Sequence, residues 1–161
     1  MLSDGSWALV IFVRWLHVIS ACLLVGATFF VAFLLPPATR ELDEASRESI
    51  LSRSRRGFKM LVHVCILLLL ASGTYNLIGN RSAYHRGLPL THALLGPHVL
   101  LALTAFAILL VVLAGRQPSR AYQRWVRLTA SLLFLTVLTA SALKWAREHP
   151  LQDTTQDRRV D

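Results

Sequence analysis

The apolar residues of the chain are gathered into four blocks that are separated by polar connectors. The blocks run from Trp7 to Leu35, Phe58 to Ile78, Leu94 to Leu113 and Leu128 to Trp145. Each is close to the roughly 20 residues that an α-helix needs to cross the hydrocarbon core of a bilayer. Because backbone groups in lipid must bond internally, and the connectors are short, the pattern predicts an all-α, integral membrane, up-and-down four-helix bundle.

The segments around these blocks carry predictions of their own. We expect residues 1–145 to form one transmembrane domain and residues 146–161 to be a mobile polar tail. Pro36 and Pro37 should end the first span, because neither can donate a backbone hydrogen bond. The charged sequence after them predicts a short helix along the membrane surface, and the turn formers of residues 79–97 predict an ordered outer loop.

The charge distribution bears on topology rather than on nucleic acid. The net charge is +8, but most basic residues lie in the connectors, so we expect no nucleic-acid partner. The first and third connectors carry ten Lys and Arg residues, while the second connector and the tail carry six. This bias predicts a multi-pass protein with both termini outside. The lipid bilayer is the expected partner, and the pattern is compatible with a homo-oligomer.

Three histidines, His17, His63 and His98, fall inside the predicted spans. Ionisable groups at that depth are costly, which favours a functional role, although each imidazole could instead bond to a neighbouring helix. With 1.5 Å of rise per residue, His17 and His98 lie roughly 6 and 9 Å to the outer side of their span midpoints, and His63 about 8 Å to the inner side. The first two could therefore face each other, and one metal centre is not expected to hold all three.

Small residues follow both outer histidines on their own helix faces, including Ala21 after His17 and Ala102 after His98. They leave space for a cofactor, although close helix packing also uses small residues. Two imidazoles from diagonal helices of an apolar bundle suit the axial positions of haem b. Arg14, one turn before His17, would then pair with a haem propionate, or else extend to the outer head groups.

Copper is an alternative cofactor, with His17, His98 and His63 as candidate metal ligands. A copper carrier is expected to use soft sulfur ligands, yet the chain has two methionines and two scattered cysteines. Loop residues His85 and His92 could add imidazole ligands. A third interpretation is a non-catalytic membrane subunit whose basic connectors bind acidic lipid or a partner protein.

Several short motifs resemble the bacterial four-helix membrane proteins grouped with the CopD copper-resistance domain and the HemJ-type protoporphyrinogen oxidases. They are LHVIS with its glycine nine residues on, His17 and Gly26, and the SGTYN that ends the second span. The resemblance implies location in the bacterial inner (plasma) membrane and a haem b ligand at His17. HemJ-type proteins usually carry a lysine where this chain has His98. That departure argues against protoporphyrinogen oxidase activity, and the histidine could supply a second axial ligand instead.

The expected function is therefore electron transfer or a haem-linked oxidoreductase step. A redox partner protein or a quinone would exchange electrons with it, and the sequence does not decide whether the chain is itself an enzyme.

Overall fold

The structure, a computed structural model, describes the backbone of residues 4–79, 89–115 and 119–148. Side chains are described for residues 7–79, 93–115 and 121–145. Residues 80–88 of the predicted outer loop and residues 149–161 of the predicted tail lie outside these ranges and stay predictions. The prediction of a loop was wrong for residues 89–97, which begin a helix, and the tail starts later than predicted, because residues 146–148 still belong to the last helix.

The described chain consists of helices that follow the four apolar blocks. They are α1 (Asp4–Phe29), α2 (Leu35–Ala38), α3 (Glu44–Gly79), α4 (Pro89–Ala114) and α5 (Ser119–Glu148), with a π-helical turn, Phe30–Leu34, between α1 and α2. Four segments of the described residues are long and apolar enough to cross a membrane: Trp7–Ala38, Glu44–Gly79, Ala93–Ala114 and Ala121–Trp145. The prediction of an all-α membrane bundle is confirmed.

The first span ends in the π-helical turn and two prolines. The Leu35 N–H bonds to the carbonyl of Phe30, and the helix then continues to Ala38, three residues beyond the predicted end. Since proline has no N–H, Pro36 leaves the carbonyl one turn before it without the usual helical donor. That carbonyl belongs to Ala32, and it instead lies 3.4 Å from Nε of Arg127, which donates to it from α5.

The predicted short surface helix is not a separate element. Its residues from Glu44 onward form the first part of α3, which continues without interruption into the second span. Residues 44–57 contain no proline, and their one glycine, Gly57, does not stop the helix. At 36 residues α3 is about 54 Å long, well beyond the roughly 30 Å hydrocarbon core, so its charged beginning extends past the apolar part of the bundle.

The four spans are arranged as two close pairs. The first packs chiefly against α3 and α4 chiefly against α5, while lesser contacts join α1 to α5 and α3 to α4. The first and third spans, α1 and α4, therefore lie diagonally across the bundle. Leu67, Leu100 and Val111 point outward, 68%, 67% and 66% exposed, as apolar side chains facing lipid do. The core includes four fully buried side chains: Leu24, Val62, Leu109 and Val126.

Candidate cofactor site between His17 and His98

The imidazole of His17 is held by the neighbouring helix α3. Its Nδ1 lies 2.8 Å from Oγ of Ser72, and that hydroxyl donates its hydrogen to the carbonyl of Leu68 at 2.5 Å. Because the hydroxyl has one hydrogen, its oxygen accepts from the ring, and Nδ1 of His17 carries the proton. The network therefore assigns the tautomer in which Nε2 has a free lone pair.

A glycine lets the backbone of α3 come close to the same ring. A Cβ placed on Gly73 would lie 3.5 Å from Cε1 and 3.9 Å from Nδ1 of His17. These are ordinary van der Waals distances, so a methyl group would fit there. A longer side chain would displace the imidazole from Ser72.

His98 is held in the same way by α5. Its Nδ1 lies 3.1 Å from the carbonyl oxygen of Thr136 and 3.3 Å from Oγ1 of Thr139. A carbonyl oxygen only accepts, so Nδ1 of His98 carries the proton. The Thr139 hydroxyl also donates to the Thr136 carbonyl, at 2.8 Å. Again Nε2 is left with a free lone pair.

His17 and His98 lie on the two diagonal spans, near enough to each other to interact electrostatically. Both rings are half-buried, and each is bonded to a different neighbouring helix. The hydrogen bonds of both rings to the neighbouring helices are made by their Nδ1 atoms. The helix faces expected to point inward do so, since Leu24 on the face of His17 and Ala105 on that of His98 are 1% and 0% exposed.

His63 is not part of this pair. It is exposed on α3, and its Nδ1 bonds within the same helix to the carbonyl of Lys59 at 2.6 Å. It precedes Ser72 by nine residues, which is about 14 Å along the helix axis. The structure therefore separates His63 from the level of the other two rings, as the depth argument predicts.

Arg14 is exposed on α1, one turn nearer the N-terminus than His17. The side chains of His85 and His92, the additional candidates for copper, lie outside the described residues. Among the side chains that the structure does describe, no group of three or more potential metal ligands occurs.

A comparison with models of protein families identifies the family of this chain. Residues 11–124, more than two thirds of the 161, match the model of a family described as "Predicted integral membrane protein (DUF2269)". The chain belongs to the DUF2269 family. No characterised protein and no solved structure matches it. The membrane character is thus confirmed, while the resemblance to the CopD and HemJ-type proteins stays a prediction.

Sequence reasoning did not identify the groups that bond to the two histidines of this DUF2269 protein. Ser72 lies in the SGTYN motif, which carries no predicted role for its serine. His98 is bonded to the backbone carbonyl of Thr136 and to the hydroxyl of Thr139, while the Thr136 hydroxyl bonds within its own helix to Leu132. The sequence does show hydroxyl residues at the same depth as the histidines in their spans. It does not show which helix faces each histidine, so the bonding partners could not be chosen.

Proposed function

We propose that this DUF2269 protein binds haem b through Nε2 of His17 and Nε2 of His98, and that the bound group serves electron transfer or a haem-linked oxidoreductase step. The proposal rests on the protonation state that the two imidazole rings share. Each donates its Nδ1–H to a neighbouring helix and keeps a free lone pair on Nε2. Imidazoles that ligate metals typically donate their other ring N–H in this way, which fixes the ring and raises its basicity.

The number of side chains favours haem over a metal ion held by protein alone. A haem brings its own four nitrogen ligands and needs only two axial ones, which is the number of imidazoles that lie together here. Structural zinc sites use four protein ligands and blue-copper sites at least three, and the described residues contain no group of that size. When bound, a bis-imidazole haem supplies one-electron transfer, with a redox partner protein or a quinone as the exchange partner.

Packing restricts where the group would lie. Leu24 and Ala105 belong to the packed core. Each lies two helical turns after its histidine, in the direction of the first and the third connector respectively. The two histidines would therefore hold the group beside this core and not within it. Arg14, one turn from His17 on the side away from the core, would pair with a propionate. As part of the proposal we carry over the orientation from the basic connectors, which places this site in the periplasmic half of a bacterial inner membrane.

Copper is the second candidate, because the same two lone pairs would bind Cu(I). A copper site would need further ligands. His63 lies apart from the pair, and the side chains of His85 and His92 lie outside the described residues. A purely structural pair in a non-catalytic subunit is the third candidate, since interhelical hydrogen bonds alone also account for the two Nδ1 contacts.

The test is spectroscopy and metal analysis of protein purified in mild detergent from haem-replete cells. We expect a Soret band with a low-spin, bis-imidazole spectrum and about one haem per chain in a pyridine haemochrome assay, the stoichiometry that two axial histidines imply. His17→Ala and His98→Ala should each lose the low-spin signal, and added free imidazole should restore it. His63→Ala, which removes an exposed span histidine, is the matched control and should keep the wild-type spectrum.

Three results would overturn the haem assignment. A colourless protein with one copper per chain would support copper handling instead. A protein with neither metal, whose His17→Ala and His98→Ala variants merely unfold at lower temperature, would support the structural reading. A Soret band of equal strength in all three histidine variants would show that the haem is held elsewhere.

A further inference from the structure

A pocket lies at the end of the bundle where the first and third connectors leave it, away from the histidine pair. We call this the connector pocket. It holds two buried polar atoms without a hydrogen-bond partner, the hydroxyl of Tyr122 and Oε1 of Gln123. The six residues that line it come from the end of the first span, from α3 and from the start of α5: Val31, Leu35, Leu51, Arg55, Tyr122 and Gln123.

The unsatisfied hydroxyl of Tyr122 indicates a missing partner. Tyr122 is only 6% exposed, and leaving such a group unpaired is unfavourable, so native proteins rarely do it. Arg55 lies close by, with its guanidinium over the ring face, 4.3 Å from the ring centroid, but it makes no hydrogen bond of good geometry with the hydroxyl. The Tyr122 hydroxyl is therefore a free donor at the wall of a pocket.

The surroundings of the pocket favour an anion. Arg55 carries a permanent charge, and its planar fork suits two oxygens of one phosphate or carboxylate. Arg47, two turns earlier on α3, also has a buried Nε without a partner. Tyr122 lies in the first turn of α5, where backbone N–H groups have no helical acceptor, and this turn contains no acidic residue.

We propose that the connector pocket binds the phosphate of an anionic glycerophospholipid head group. Arg55 and the Tyr122 hydroxyl donate to the phosphate oxygens, and a head-group hydroxyl donates to Oε1 of Gln123. Val31 and Leu35 provide an apolar wall for the glycerol and the first carbons of an acyl chain. Basic pockets between membrane helices on the cytoplasmic side are known to bind anionic lipid head groups. The proposal involves no residue of the histidine pair and does not depend on haem.

The test is lipid binding by the full chain in nanodiscs and by native mass spectrometry of the detergent-purified protein. The probes are phosphatidylglycerol and phosphatidylcholine, which share acyl chains but differ in head-group charge. We expect wild-type protein to prefer phosphatidylglycerol. Arg55→Gln should weaken that binding about tenfold, because a charge-assisted pair is lost, and Tyr122→Phe, which removes a single oxygen atom, should weaken it several-fold.

Arg56→Gln is the matched control. Arg56 is the next residue of α3, exposed and outside the pocket, so its replacement removes the same charge from the same surface. Wild-type affinity in Arg56→Gln together with weak binding in Arg55→Gln and Tyr122→Phe would support the proposal. Equal loss in both arginine variants would overturn it in favour of general surface charge.

A third arm identifies the source of the phosphate. Inorganic phosphate is added to protein in phosphatidylcholine nanodiscs, and the thermal midpoint is measured. Stabilisation by inorganic phosphate that disappears in Tyr122→Phe, with no preference for phosphatidylglycerol, would assign the pocket to a soluble phosphate compound and overturn a lipid as its occupant. No effect of phosphate beside a clear preference for phosphatidylglycerol would support the lipid.

Discussion

The Ser72 hydroxyl oxygen accepts a hydrogen bond of 2.8 Å from Nδ1 of His17, which links α3 to α1. The one hydrogen of that hydroxyl is donated to the carbonyl of Leu68. The serine therefore determines which nitrogen of His17 keeps its lone pair. Its replacement should affect the ligand properties of His17 more than the fold.

Ser72→Ala is the first prediction that follows from this bond. Loss of the hydroxyl should lower haem affinity about 10- to 100-fold, as removal of such supporting partners does at metal sites, while costing only about 0.6 kcal/mol of stability, the average for a hydrogen bond between membrane helices. Haem titration followed by the Soret band measures the first quantity, and unfolding in detergent measures the second. Ser131→Ala is the control, since that exposed hydroxyl bonds only within its own helix. Equal haem affinities in the two variants would contradict the assigned tautomer.

Gly73 should tolerate one methyl group but not a long side chain. Gly73→Ala adds a Cβ at ordinary contact distance from His17, and alanine is favoured over glycine in a helix by up to about 1 kcal/mol, so we expect unchanged or higher stability. Gly73→Leu should push the ring away from Ser72 and reduce the low-spin signal. Gly26→Leu is the control, because a Cβ at Gly26 meets no atom within 4 Å. Loss of signal in Gly26→Leu but not in Gly73→Leu would refute the described contact.

We expect Arg127 to contribute to stability, because Pro36 leaves the Ala32 carbonyl without a backbone donor and Arg127 donates to it instead. Removing the guanidinium with Arg127→Ala leaves the Ala32 carbonyl without a donor, which we expect to cost about 1–3 kcal/mol of unfolding free energy. Pro36→Ala restores a backbone N–H one turn after that carbonyl. In a double-mutant cycle, Arg127→Ala should therefore cost less in the Pro36→Ala background, with a coupling of at least about 0.5 kcal/mol. Additive effects would argue against this link. Arg124→Ala, an exposed neighbour on the same helix, serves as the control.

Asp43 caps α3 and should make its first turn sensitive to acid. The Ser46 N–H donates to Oδ1 of Asp43 at 2.9 Å, and this bond lowers the pKa of the carboxyl below its ordinary value of 3.8. A lowered folded-state pKa means that the capping contribution is complete above pH 3.8 and is lost as the pH falls through the folded-state pKa. The protection of the amides at the start of α3, measured as their hydrogen-exchange rate relative to that of an unfolded chain at the same pH, should therefore fall only below pH 3.8.

Asp43→Asn is the variant that isolates this effect. Asparagine also caps a helix but does not titrate, so exchange at the first turn should lose the acid-dependent step while remaining slow. Asp43→Ala should exchange faster at every pH. An unchanged acid step in Asp43→Asn would assign it to another carboxyl group.

The sequence predicted the spans better than it predicted the junctions between them. Apolar blocks become helices in lipid because no other local structure closes the backbone hydrogen bonds, so the histidine depths could be derived from residue counts. The charged start of α3 was misassigned because its composition fits a surface helix as well as a long helix that leaves the membrane. The π-helical turn has no sequence signature in the block where it occurs.

The depths of His17 and His98 could be derived from the sequence, but the groups that hydrogen-bond to their rings could not. Helical spacing determines which residues share a face with each histidine. It does not determine how far a neighbouring helix is rotated, and that rotation decides whether Ser72 or another hydroxyl meets Nδ1. The connector pocket was missed for the same reason, since Arg55 and Tyr122 are far apart in sequence and meet only when α3 and α5 are placed.

The unbroken course of α3 gives the molecule a mechanical link between its two ends. Arg55 and Ser72 are separated by 17 positions of one helix, about 26 Å of stiff rod, with no proline between them. A change in the tilt of α3 at Arg55 therefore also moves Ser72. Under the two proposals above, thermodynamic reciprocity requires that any preference of the lipid bound at Arg55 for one redox state of the haem be matched by an equal influence of that redox state on lipid affinity.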